Sequence, residues 1–402
     1  METGRLRKVG PVALMFFYLA IALEVVIMIT PFTVYFYSVY APILNRLEAS
    51  PWTAWLTAFF LPHISYTGDP LLGTLATLGP ILLGAGLLIF FVCAFQVYSA
   101  KLFKRGVVSG GLYARIRHPQ YLGLGIAGAG LLLYWPRFII LILYLSMLFV
   151  YDLLARNEEG RMLRKYGNGY RQYMEKVPMF LPGNPGGRLF TALTRGMARK
   201  GLALVLLYAI VLGGGIGAAF ALRAYTRTKV PVLYDENLVA VSLTPSDRGR
   251  IEGLLQVALS SPEVVPLLEK FHGKNGHTLI AYILPQEYMM QHLLADLGEH
   301  EAHHGRGEQG GFLAVLKHLG EMYLLKPFRQ LKAGGKAVEK RIIFAEAKTA
   351  AGEDVPSQRA LSADVLRYPL FFADLDAARG KVTLTMETPR RHSWGTIPVP
   401  AF

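Results

Sequence analysis

The sequence predicts a multi-pass α-helical membrane domain of about five spans, including a helical hairpin, followed by a soluble domain of mixed α/β or α+β type. Three observations carry this reading. The 402 residues are 52% hydrophobic and only 17% charged, and at roughly 100–200 residues per domain the chain holds two or three. Long apolar runs are confined to 1–222, whereas 223–402 has the composition of an ordinary soluble domain. Residues 1–222 carry 20 Lys+Arg against 8 Asp+Glu, and the remainder 22 against 20. The basic excess therefore flanks the apolar runs, where lipid headgroups and topology use it.

Each span follows from length, since about 20 apolar residues cross a bilayer. Residues 11–38 qualify, with Pro31 as a kink, and the run is longer than the core of a cleaved signal peptide. Residues 71–98 qualify, with Pro80 inside. Residues 119–134 and 138–154 are shorter runs split by Trp135-Pro136-Arg137, which reads as a hairpin, and 201–222 is the fifth span. Between the first two, Trp52, Trp55 and Phe59 fall at helical spacing, as in a segment lying in the interface. The 182–188 stretch is a breaker-rich linker. In the soluble part, β-rich runs at 238–243, 278–284, 341–345 and 382–386 alternate with helical patterns at 251–259 and 286–297.

The flanks set orientation. The N-terminus, 101–118 and 156–200 are basic, while 41–69 has only Arg46 and the hairpin tip only Arg137. The positive-inside rule makes the basic flanks cytoplasmic and, with five spans, puts 223–402 outside. Arg223, Arg227 and Lys229, just beyond the last span, oppose this. No basic stripe stands out in the soluble half, so nucleic acid is not an expected partner. The bilayer is, and a protein partner of the soluble domain stays open. A single cysteine, Cys93, excludes an intrachain disulfide and a cysteine-based metal site.

Two elements carry chemistry. The first runs from Gly111 through Arg115, Arg117-His118-Pro119, Tyr121, Gly123 and Gly125. Pro119 suits the first turn of a helix. Glycines one turn later admit a ligand close to the backbone, or serve helix packing. The second begins Arg156-Asn157-Glu158-Glu159 and continues through Leu163, Tyr166-Gly167, Tyr170, Tyr173, Val177-Pro178 and Phe180-Leu181-Pro182. Adjacent carboxylates at a membrane exit bind a ribose diol or an ammonium, or form a solvated turn. Tyrosines three apart share a helix face, able to cover an adenine or meet the headgroup layer.

In this order around a hairpin, the two elements resemble the isoprenylcysteine carboxyl methyltransferase family and, more widely, the phospholipid methyltransferases. The resemblance covers about residues 100–182. It implies an S-adenosylmethionine site at the cytoplasmic face with a lipid-side entrance for the acceptor. Arg117, His118, Tyr121, Gly123, Gly125, Glu158 and Glu159 would then line the cofactor pocket, closed by Tyr170 and Tyr173. Arg117 is the candidate for pairing a substrate anion or the cofactor carboxylate. His118 is a candidate proton acceptor or a helix cap. The acceptor is a lipophilic or small membrane-accessible carboxylate, amine or thiol.

Other signals leave alternatives. Glu24, inside the first span, is a functional candidate or a neutralised carboxyl. His300-Glu301-Ala302-His303-His304 matches the His-Glu-x-x-His zinc pattern, with His300 and His304 as ligand candidates and Glu321 as a third. The glycine-rich 305–311 that follows ends any helix there. A non-catalytic membrane subunit presenting 223–402 to a partner, a metallohydrolase in the tail, and a membrane reductase of the steroid-reductase type remain as other readings.

Overall fold

The computed structural model describes residues 43–61, 69–103, 106–183, 187–188, 200–243, 248–272, 277–286 and 339–388. The expected first span, Glu24, the histidine stretch at 300–304 and Glu321 lie outside these residues. Among the described residues, three helices are long and apolar enough to cross a membrane: α1 (Pro70–Leu102), α3 (Phe138–Tyr166) and α5 (Lys200–Lys229). Helix α2 (Pro119–Tyr134) has 16 residues, about 24 Å of axis against a hydrocarbon core of about 30 Å. The hairpin is present: α2 stops where Trp135 precedes a proline, and α3 starts at Phe138. A short amphipathic helix, α4 (Asn168–Lys176), follows α3 after Gly167.

The described chain divides into two compact units. The first contains Leu78–Tyr134 and Ile140–Ala218. Its helices α1 and α2 pack antiparallel with almost no side chain between them. A Cβ on Gly86 would lie 2.3 Å from the Ala127 nitrogen and 2.5 Å from the Gly123 oxygen, and one on Gly130 would lie 2.5 Å from the Leu83 nitrogen. Small residues allow this approach, because lipid supplies no hydrophobic drive for helices to associate. Helices α3 and α5 meet through the Ser146 and Tyr208 hydroxyls, 2.8 Å apart.

The second unit contains 43–77, Trp135–Ile139 and the described residues from Ala219 onward. Its sheet comprises β1 (Val232–Tyr234), β2 (Leu238–Ser242), β3 (Leu279–Pro285), β4 (Glu339–Thr349), β5 (Val365–Asp376) and β6 (Lys381–Glu387), paired in that order. All pairs are antiparallel except β2–β3. The β2–β3 connection includes α6 (Arg248–Leu259) and α7 (Val265–His272). Strand alternation serves two cores. Ile280, Tyr282 and Leu284 enter one, and Leu279, Ala281 and Ile283 enter the other beneath α6. Strand β5 carries an extra residue: Phe344 faces Phe371 and Ala345 faces Pro369, so Leu370 has no opposite residue. A bulge there accommodates the missing N–H of Pro369.

Residues 54–57 form a single 3-10 turn rather than an amphipathic helix. Trp52 is exposed. Phe59 is stacked on Trp135, beneath the Arg137 guanidinium. Backbone bonds from Phe60 to the Pro136 carbonyl and from Phe138 to the Ala58 carbonyl hold residues 58–60 extended along the hairpin tip, and this ends the turn. Arg223 is also not a headgroup anchor. It is buried within α5 and donates to the Phe59 and Leu361 carbonyls. A buried arginine with backbone partners carries no sidedness signal, so this charge no longer weighs against the expected topology.

Gly86→Ala should remove the close α1–α2 contact, with an expected cost of about 1–3 kcal/mol or more. Gly214→Ala, in α5 with nothing within 4 Å of its Cβ, should be neutral or slightly stabilising. Melting temperatures of the two variants in one detergent check the contrast.

Candidate functional site

The first motif enters as a 3-10 turn, Gly111–Ala114, and reaches α2 through Arg117 and His118. The segment after α4 lies beside it. The Arg117 and His118 N–H groups donate to the Pro178 and Met179 carbonyls at 2.9 and 3.1 Å. Two motif halves about sixty residues apart are thus joined by backbone before any side chain is counted.

Arg117 reinforces the joint. Its Nε donates to Glu159 Oε1 at 2.6 Å, and its Nη1 donates to the Met174 carbonyl at 2.8 Å and to the Val177 carbonyl. The last two carbonyls lie at the C-terminal end of α4, where the helix dipole favours a cation. Both ends of the pair are secluded, with 10% and 7% of the side chains exposed.

His118 lies between the carboxylates. Its Nε2 is 3.2 Å from Glu159 Oε1, and its Nδ1 is 3.6 Å from Glu158 Oε2. The Tyr121 hydroxyl donates to Glu158 Oε1 at 2.9 Å. Neighbouring residues on a helix diverge by about 100°, and the two glutamates use that divergence. Glu159 is turned inward and engaged by Arg117 and His118, whereas the Glu158 side chain is 38% exposed. Arg117, Glu158 and Glu159 together carry one net negative charge.

Aromatic rings surround it. His118 stacks on Tyr121, and Tyr121 on Tyr151. Tyr170 and Tyr173 have ring centroids 5.7 Å apart, and the Tyr173 hydroxyl donates to the Tyr113 carbonyl at 2.6 Å. Burial, with the Glu159 charge adding to it, pushes the Tyr170 phenol up to about 12. Burial raises Tyr173 as well, and raises Tyr113 further, helped by nearby Cys93, Tyr173 and Glu158.

The structure therefore brings together Arg117, His118, Tyr121, Glu158 and Glu159, with Tyr170 and Tyr173 alongside. Gly123 and Gly125 are occupied by helix packing. A Cβ on Gly123 would lie 2.9 Å from the Gly86 oxygen and the Phe90 nitrogen. The Gly125 carbonyl accepts from Tyr144, 3.0 Å away. Tyr113 and Tyr151 were not singled out from the sequence, because tyrosines at a membrane boundary read as interface anchors.

Residues 88–169 match the phospholipid methyltransferase family. This methyltransferase-type segment contains the first motif and both glutamates, and ends just before Tyr170. Over 77 residues, 19% of its length, the chain is 31% identical to protein-S-isoprenylcysteine O-methyltransferase of Schizosaccharomyces pombe. The chain spans about a third of that relative's length, 33%. No solved structure matches the chain. The resemblance expected from the two motifs is borne out, and the family match ends before the sheet domain begins.

Outside this segment, among the described residues, His277, Glu346 and Asp354 bring ligand-type atoms within 4.8 Å of one another. Lys348 lies among them, 3.1 Å from Glu346 and 2.6 Å from Asp354. The group is an ion-pair network with its own cation.

Arg117→Met should strand Glu159 and cost about 3–5 kcal/mol. The double variant with Glu159→Gln should cost clearly less than the sum of the two single changes, which a double-mutant cycle on unfolding measures. The raised phenols favour the neutral form in the folded protein. Their contribution should be complete below pH 10, the ordinary tyrosine value, and for Tyr170 should be lost as pH rises towards about 12. Ultraviolet phenolate titration of wild type against Tyr170→Phe checks this.

Proposed function

We propose that the methyltransferase-type segment binds S-adenosylmethionine and directs its methyl group to a lipophilic or small membrane-accessible acceptor. The observation that carries this reading is the single cluster formed by Arg117, His118, Tyr121, Glu158 and Glu159 at the end of a helix long enough to cross a membrane. Its donor set fits the cofactor. One net negative charge suits a ligand whose sulfonium and ammonium outweigh its carboxylate, and the tyrosine faces suit a purine.

The bound cofactor would supply an activated methyl, which passes to the acceptor's lone pair as the carbon–sulfur bond breaks and leaves S-adenosylhomocysteine. The chain's own task is to bind, align and exclude water. Alignment of reacting groups accounts for several kcal/mol of such barriers. Glu158, the more exposed of the two carboxylates, binds the ammonium or the ribose diol. Arg117 is a positioning residue, since it fastens Glu159 and the end of α4. His118, held between two carboxylates, accepts the proton that a thiol or amine acceptor releases. A carboxylate acceptor needs no such step.

We also propose the topology. The basic flanks 101–118 and 156–200 put the site on the cytoplasmic face. The chain leaves that face through α5, a single crossing, so the domain that follows, 223–402, lies on the opposite side of the membrane from the 1–222 site. A non-catalytic subunit built on this fold is the rival reading, and the internally satisfied Arg117–Glu159–His118 network favours it to that extent.

Calorimetry of the full chain in detergent tests the binding. Wild type is expected to take up S-adenosylhomocysteine at one site, and Glu158→Ala to weaken it at least about tenfold, the loss of one charge-assisted hydrogen bond. No heat of binding with correctly folded wild type would overturn the reading in favour of the subunit.

A further inference from the structure

Helix α1 contributes a polar residue that neither motif contains. Gln96 lies one helical turn beyond the buried Cys93, on the same face. Its Oε1 is buried and has no hydrogen-bond partner among the described residues. An amide acceptor left unpaired in a helix that crosses a membrane is costly, and such residues mark functional positions.

The surroundings show what the carboxamide faces. A Cβ on Gly111 would lie 2.8 Å from Gln96 Nε2 and 3.4 Å from Oε1, so the amide packs directly on the turn that opens the first motif. Gly111 has a φ of +63°, a conformation a side chain would strain. Two residues on, Tyr113 is buried and its carbonyl holds the Tyr173 hydroxyl. Cys93 and Glu158 lie near enough to Tyr113 to help hold its phenol neutral. Gln96 therefore borders the turn that leads into Tyr113 and the first motif.

We propose that Gln96 is a further cofactor-binding residue, whose Oε1 accepts a hydrogen bond from an uncharged donor of the nucleoside, either the adenine amino group or a ribose hydroxyl. This rests on the S-adenosylmethionine reading above. Glu158 is the better partner for the charged ammonium, because it carries the exposed negative charge. A neutral amide beside tyrosine rings suits the nucleoside end.

The test uses full-length protein in detergent, with S-adenosylhomocysteine as the probe. Gln96→Met keeps the volume and removes the acceptor. Affinity should fall about tenfold, while the melting temperature without ligand should hold or rise, because an unpaired buried acceptor has gone. Two analogues extend the test on unaltered protein, one N6,N6-dimethylated and one lacking a ribose hydroxyl. One of them should lose about tenfold on wild type and nothing further on Gln96→Met. Equal probe affinity of wild type and Gln96→Met would overturn this inference alone. So would a loss of affinity matched by a lower unliganded melting temperature, which marks Gln96 as a prop for the Gly111 turn. No binding by folded wild type would overturn the cofactor reading and this inference together.

Discussion

The Arg117–Glu159 pair is the interaction on which the site depends. It joins a loop residue before α2 to a residue 42 positions later near the end of α3, and it fixes the end of α4 through two carbonyls of that helix. Buried ion pairs of this kind often add little net stability compared with apolar replacements. Their value lies in specificity, because a carboxylate and a guanidinium secluded from water tolerate few alternative arrangements. Here the pair sets which glutamate turns inward. Glu159 is engaged by Arg117 and His118, and the Glu158 side chain stays 38% exposed.

The helix packing beneath the site follows from the same economy of space. Because α1 and α2 approach through glycine backbones at Gly86, Gly123 and Gly130, α1 comes near enough for Gln96 to reach the Gly111 turn. Bulkier residues in that seam would move the helix, and the amide with it. At Gly123 the missing side chain lets α1 close against α2.

Much of this was legible in the sequence, for reasons particular residues make clear. The hairpin could be read because Trp135-Pro136 breaks an apolar run, and the motif pair because its residue types and order are rarely met by chance. Four of the six strands are alternating or β-branched runs. Strand β5 was not legible, because Arg367, Pro369 and Asp374 interrupt its pattern. Arg367 bonds to the Ala360 and Ser362 carbonyls, Asp374 pairs with Arg341, and Pro369 sits at the bulge. These are tertiary compensations that no local window contains. Gln96 was hidden for a similar reason: one glutamine in an apolar run carries no signal until the Gly111 turn is placed against it.

The most direct measurement follows the methyl group itself. Membranes containing wild-type chain are incubated with methyl-labelled S-adenosylmethionine, beside membranes containing Glu158→Ala, and label is then sought in lipid, protein and volatile fractions. Label accumulating in one fraction with wild type, and falling to background with Glu158→Ala, is the expected result. Label that never leaves the cofactor, or that transfers equally well with the variant, would contradict a methyl-transfer site at this cluster.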